Sequence, residues 1–154
     1  MIRAYAVACT ITEVEVDVET GKIEVLKITS GHDCGRDINP VMVENQIDLG
    51  LVMANGWVHT EEYVIDPKTG VVLNPNLLDY KLMTFLDMPR SQDVIKIVAE
   101  RPCAWGPFGA KGFSETAVTA EGPAIVNAIY NATGVRLYKT PADPAVIREG
   151  MKKR

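Results

Sequence analysis

A chain of 154 residues with 47% hydrophobic and 23% charged side chains is long enough for one domain with a buried core, in the polarity range of soluble globular proteins. Its net charge of −4 argues against a broad nucleic-acid surface, which needs a basic face. No apolar run approaches a membrane span, and Met1-Ile2-Arg3-Ala4-Tyr5 holds no apolar leader with a cleavage site, so a cytoplasmic protein without membrane contact is expected.

Residues 4–17 alternate. Ile11 is followed by Val14, Val16 and Val18 with acids between them, which is the period of a strand. Glu19-Thr20-Gly21-Lys22 turns the chain and Ile23 to Thr29 returns, so a hairpin is predicted. Asn39-Pro40 supplies an N-cap and a first-turn proline ahead of Val43, Ile47, Gly50, Leu51, Ala54 and Val58 at helical spacing. This helix is expected to end near Gly56, with Val58 to Ile65 as a strand. Gly50 weakens a helix, and close approach by another backbone or a ligand would account for it. Pro67 to Gly70 reads as a turn, Val71 to Pro89 as largely irregular, and Val94 to Ala99 as a short strand. Farther on, Ile125, Ala128, Ile129 and Ala132 form a helical stripe that Gly134 ends, while Pro123 leaves the upstream limit open. Asp143-Pro144 opens a last short helix. Strands and helices mix without a regular βαβ order, so the class is α+β: a single domain with mixed β-strands and two main helices.

Cys9, Cys34 and Cys103 are widely spaced and include no CxxC pair, so they encode no four-cysteine cluster and read as reduced, mostly buried thiols. His32 and His59 lack a second His or Cys at ligand spacing and read as hydrogen-bonding or packing residues, so no protein-held metal is expected. The most informative stretch is Gly106-Pro107-Phe108-Gly109-Ala110-Lys111-Gly112-Phe113-Ser114-Glu115. Its glycines let a ligand lie close to the backbone, and its single carboxylate, Glu115, precedes a helix whose first turn offers free N–H groups. A lone acid beside such a surface suits a general base. The competing reading is a glutamate that caps the helix.

A second segment runs Gly31-His32-Asp33-Cys34-Gly35-Arg36-Asp37-Ile38-Asn39-Pro40 and leads to Asn45-Gln46-Ile47-Asp48-Leu49-Gly50. With the glycine loop, Glu61-Glu62, Asn74 to Tyr80 and Thr140-Pro141-Ala142, it resembles the C-terminal part of the molybdenum-binding subunit of the xanthine dehydrogenase and aldehyde oxidase family, from about residue 4 to about residue 147. The family's HDxGxx(I/L)NP run, its GQ helix and its GxKGxGE loop are matched in order.

The resemblance implies that Glu115 is the catalytic general base beside molybdenum in the oxidative hydroxylation of a heterocycle or aldehyde. It implies that Gln46 hydrogen-bonds the pterin and that Gly112, Phe113 and Ser114 line the approach to the cofactor. Lys111 matches the family lysine, and its alternative role is that of a solvated cation. Asn45 and Ser114 stand where the family usually has glycine. Gly31 to Pro40 reads as structure rather than catalysis, with Asp33 and Arg36 satisfying each other or nearby backbone. Residues 1–154 would then be one C-terminal molybdopterin-binding-type domain, a separate small subunit or an excised fragment. The molybdenum–molybdopterin cofactor would be shared with a larger molybdenum-binding partner, with iron–sulfur clusters and FAD on other subunits, and the isolated chain would be inactive and prone to self-association. The alternative from another class is a cofactor-free structural or assembly module that retains the fold.

Overall fold

The computed structural model describes residues 4–153, so the leader reading at Met1 to Arg3 lies outside the described residues. The alternating start of the chain forms the predicted hairpin. Strand β1 (Val7–Val16) pairs antiparallel with β2 (Ile23–Asp33), and the Asp17 carboxylate closes the turn by accepting the Glu19 and Thr20 N–H groups at 2.8 and 3.0 Å. Strand β2 is longer than the expected Ile23 to Thr29. It runs on to Asp33 because β1 holds it on one edge and β3 (Val94–Ala99) holds it, in parallel, on the other. The sheet is therefore mixed, in the order β1-β2-β3.

A bulge sets which side chains face inward. Glu13 pairs with Lys27 but Val14 pairs with Val25, so Leu26 is the extra residue. Buried positions on β2 accordingly change parity, from Ile23 and Val25 to Ile28, Ser30 and His32. On β1 the inward residues are Thr12, Val14 and Val16, while Ile11 and Val18 are exposed.

Helix α1 (Pro40–His59) starts as predicted: Pro40 is in its first turn and the Asn39 side chain accepts the Met42 N–H at 3.2 Å. It does not stop at Gly56, and Val58 to Ile65 is not a strand. Ile47, Leu51, Ala54 and Val58 form one fully buried stripe, so ending the helix early would take Val58 out of the core. The chain turns back only afterwards, with the Thr60 and Glu61 N–H groups both on the Gly56 carbonyl. Beyond it, Ile65 and Val72 form an isolated bridge around the turn at 67–70, where Asp66 accepts from Lys68 and Thr69.

Helix α2 (Thr116–Thr133) continues through Pro123, which is exposed, and ends at Gly134, whose φ of 70° is the left-handed cap read from the sequence. Helix α3 (Pro144–Lys152) is capped by Asp143, whose side chain accepts the Ala145 N–H at 2.8 Å. The α+β mixture stands, but the expectation of two main helices does not, since three α-helices are present among the described residues. Helix α3 earns its place as a packing element because Ile147 is fully buried in the shared core. Helix α2 lies over β1 and against α1, and Ile28, Leu51, Ile125, Ile129 and Ile147 meet between the layers.

Candidate functional site

The two motifs singled out in the sequence meet edge to edge. Gly35 and Ala110 form an antiparallel bridge. The Gly109 carbonyl accepts the Arg36 and Cys103 N–H groups at 2.9 Å each, and the Lys111 N–H donates to the Cys34 carbonyl at 3.0 Å. Gly35 sits at φ 72°, and a Cβ there would fall 2.5 Å from the Gly109 oxygen, so glycine is needed for both the backbone angle and the approach.

Side chains reinforce the clamp. The Lys111 ammonium pairs with the Asp33 carboxylate at 2.6 Å, with only 11% and 15% of the two side chains exposed. Burial pushes the Asp33 carboxyl up, but the Lys111 ammonium and the Gly35 N–H outweigh it and hold the group below its ordinary value. Asp33 is satisfied by nearby backbone at Gly35, one of the two options read from the sequence, and by Lys111 rather than Arg36, which removes the solvated-cation alternative for Lys111. Next along the loop, Phe113 meets the His32 ring edge-on, with centroids 5.5 Å apart at 88°. His32 is buried, and its Nε2 lies 2.8 Å from the Ser30 hydroxyl, which lies 2.8 Å from that of Thr10. His59 bonds the Asn55 carbonyl through Nδ1, so both histidines hydrogen-bond and pack as read. Of the three free thiols Cys34 is buried, Cys103 half-buried and Cys9 exposed, so the expectation of mostly buried thiols fails at Cys9, at the outer face of the edge strand β1.

At the end of the clamped loop, Gly112, Ser114 and Glu115 are exposed and Phe113 is half-buried. A Cβ on Gly112 would meet nothing within 4 Å, so the surface there is open. Glu115 occupies the N-cap position of α2, yet its side chain makes no capping hydrogen bond, which separates its carboxylate from the helix-cap role.

Gln46 is half-buried on α1, one turn before Gly50. A Cβ on Gly50 would lie 2.5 Å from the Ala117 Cβ, and one on Gly122 would lie 1.9 Å from the Trp57 ring. These contacts advance along both helices together, so α1 and α2 run side by side in the same direction. Gln46 and Glu115 therefore belong to the same end of the helix pair. Gly50 is explained as a place of close helix approach, and Asn45 is exposed.

One functional group escaped the sequence reading. Glu121 is fully buried, accepts the Thr12 hydroxyl at 3.1 Å, and is pushed up to about 7 by burial against the opposing pull of Thr12 and Asn55. The signal was available: Ala117, Glu121, Ile125 and Ile129 recur every four residues, so extending the apolar stripe backwards through Pro123 reaches an acid on the core face.

The open end holding Glu115 is not a closed pocket. A groove of about 830 Å³ lies between Lys22 to Leu26, His59 and the segment around Met83 to Ser91, and no residue named for the site lines it. Among the described residues no group of three or more His, Cys, Asp or Glu side chains is arranged to hold a metal ion, and no helix is long and apolar enough to cross a membrane.

Comparison with known proteins places this geometry. Residues 1–89 match a family profile described as a molybdopterin cofactor-binding domain. The chain is 37% identical over 144 residues to the xanthine dehydrogenase molybdenum-binding subunit of Escherichia coli O157:H7, covering 94% of this chain and 19% of that protein. It is 33% identical over 148 residues to an aldehyde oxidoreductase of Megalodesulfovibrio gigas, covering 96% of this chain and 16% of that protein. The crystal structure of quinoline 2-oxidoreductase from Pseudomonas putida 86 superposes with a TM-score of 0.81 at 32% identity, over 92% of this chain and 18% of that one. The chain thus spans less than a fifth of the length of these relatives. The profile match, covering more than half of the chain, and the shared fold agree with the ordered motifs: the chain belongs to the molybdopterin cofactor-binding domain family of xanthine dehydrogenase- and aldehyde oxidoreductase-type molybdenum-binding subunits.

Proposed function

We propose that this chain supplies the general base and one pterin contact of a molybdenum hydroxylase acting on a heterocycle or aldehyde, as residues 1–154 of a site completed by a larger molybdenum-binding partner. The observation that carries this reading is Glu115: an exposed carboxylate, free of the capping role, at the end of a loop clamped by three backbone hydrogen bonds, two of which make the Gly35–Ala110 bridge, and a largely buried ion pair. A carboxylate is ionised at neutral pH and can accept a proton, and a fixed mount keeps its oxygen within reach of the reacting group.

The residues present fit the cofactor. Gly112 leaves open space beside the loop, and Gln46 offers an amide with donors and an acceptor for a pterin edge. Gln46, Gly112, Phe113 and Ser114 would hold the group. The chemistry the cofactor would supply when bound is acceptance of the two electrons released by the oxidised carbon. Before that transfer, Glu115 would accept the proton of the oxygen nucleophile on its carboxylate as the nucleophile attacks, and the Asp33–Lys111 pair and the Gly35–Ala110 bridge keep the loop from yielding. Electrons would pass to iron–sulfur clusters and FAD on other subunits. Leu77, Leu78, Phe85 and Leu86 are exposed large apolar side chains of the kind that a partner covers, and in isolation they would favour self-association.

Turnover per bound molybdenum in the assembled enzyme tests the reading. Glu115→Gln is expected to lower it at least about 100-fold, the lower range of general-base effects, at unchanged metal content. Glu44→Gln, an exposed acid on α1, is expected to leave it near the parent value. Near-parent turnover in Glu115→Gln would overturn the reading. The isolated chain is expected to purify without stoichiometric molybdenum, as metal analysis would show.

A further inference from the structure

The contact beneath the glycine loop is made by a residue that packing alone does not explain. His32 is 1% exposed, and its Nδ1 is buried with no hydrogen-bond partner. An unmet polar nitrogen in the core is unfavourable, and a phenylalanine would fill the same place without it. Its other nitrogen is fixed: Nε2 lies 2.8 Å from Ser30, and Ser30 lies 2.8 Å from Thr10, so the two strands of the hairpin dictate the ring's angle. The ring so oriented meets Phe113 edge-on, two residues before Glu115. On the other side of the loop Asp33, the next residue of β2, grips Lys111. Consecutive residues at the end of one strand thus hold the loop at two points, one by a ring and one by charge.

We propose that His32 is a positioning residue for Glu115: its hydroxyl-anchored ring sets where Phe113 rests and so fixes the turn from Gly112 to Glu115. This rests on the general-base reading of Glu115. His32 does not reach the reacting atoms. It acts through Phe113, and it differs from a mere core residue in that its orientation, and not only its volume, matters.

The informative variant is His32→Phe, which keeps a ring in the core, removes the orphaned nitrogen and abolishes the bond to Ser30. Three measurements separate positioning from stability. The melting temperature of the chain is expected to hold or rise. Amide hydrogen exchange at Phe113 to Glu115 is expected to quicken about 10-fold while amides of α3 keep their protection, the mark of local opening. In the assembled enzyme kcat is expected to fall about 10- to 100-fold with KM little changed, the range for a small misplacement of a catalytic group. Ser30→Ala, which frees the ring without replacing it, should show the same local loosening to a smaller degree and serves if His32→Phe does not fold. Parent-like exchange at Phe113 to Glu115, or exchange quickening alike throughout the core, would overturn the proposal. So would loosened exchange with parent kcat while Glu115→Gln is inactive. Were Glu115→Gln itself to keep its turnover, the general-base reading alone would fall. The exchange at Phe113 to Glu115 would then decide whether His32 positions the loop.

Discussion

Helix α2 carries two glutamates whose surroundings have little in common. Glu115 stands at the exposed N-terminal end, beyond a clamped glycine loop, and its side chain makes no capping hydrogen bond to the helix it precedes. Glu121 lies in the middle of the same helix, fully buried between β1 and α1, with Thr12 and Asn55 as its neighbours. The first is left available to act on something outside the chain. The second keeps its proton to a higher pH than an ordinary carboxyl, since burial penalises the charged form. Residue type says little about an acid's role until its surroundings are known.

Neutralising each acid in turn should separate their roles most strongly. Glu115→Gln should lower turnover in the assembled enzyme at least about 100-fold and leave the melting temperature of the chain unchanged, because it removes a proton acceptor and no packing. Glu121→Gln should do the reverse. The Glu121 carboxyl is raised in the folded state from its ordinary 4.5 to about 7, so its favourable contribution is fully present below the first value and is lost as pH rises through the second. The chain should therefore lose on the order of 3 kcal/mol of stability across that window by linkage, and Glu121→Gln should flatten the decline. Denaturant titrations at a series of pH values read both effects, and a flat profile in the parent would refute the raised value.

Asp33 sharpens the contrast because its sign is opposite. Its carboxyl is held below its ordinary 3.8, so its contribution is present above that value and is lost as pH falls through the folded one. Lys111→Met strands this carboxylate in a largely buried place and is expected to destabilise the chain by about 1–3 kcal/mol, with the double variant Lys111→Met/Asp33→Asn recovering part of it. Equal melting temperatures for parent and Lys111→Met would show that the loop is held by backbone alone. The smallest effect is expected from Thr12→Val, which removes one hydrogen bond to Glu121 worth about 1 kcal/mol. Because that bond lowers the Glu121 value, its loss should also move the pH-dependent decline to higher pH.

Much of the architecture was legible because it rests on local rules. The caps at Asn39-Pro40 and Asp143-Pro144, the left-handed Gly134, the hairpin and the short strand at Val94 all follow from backbone preferences and short-range periodicity. The misses share one cause. Strand β2 outlasts Thr29 because two neighbours pair with it, and α1 outlasts Gly56 because Val58 belongs to the core. Each limit was set by a partner distant in the chain, which no local pattern reports.

The same division runs through the site. The chemical inventory was readable from residue order alone: a glycine loop ending in Glu115, an amide at Gln46, a His-Asp pair ahead of a glycine, and the ordered motifs shared with the family. Only the tertiary structure decided who holds whom. It gave Asp33 to Lys111 rather than to Arg36, set His32 under Phe113, brought Gln46 to the same end as Glu115, and buried Glu121. A charge and a hydrogen bond act over a few ångströms of space, and residues 78 apart in the chain, such as Asp33 and Lys111, come within that range only when the strands and helices between them have packed.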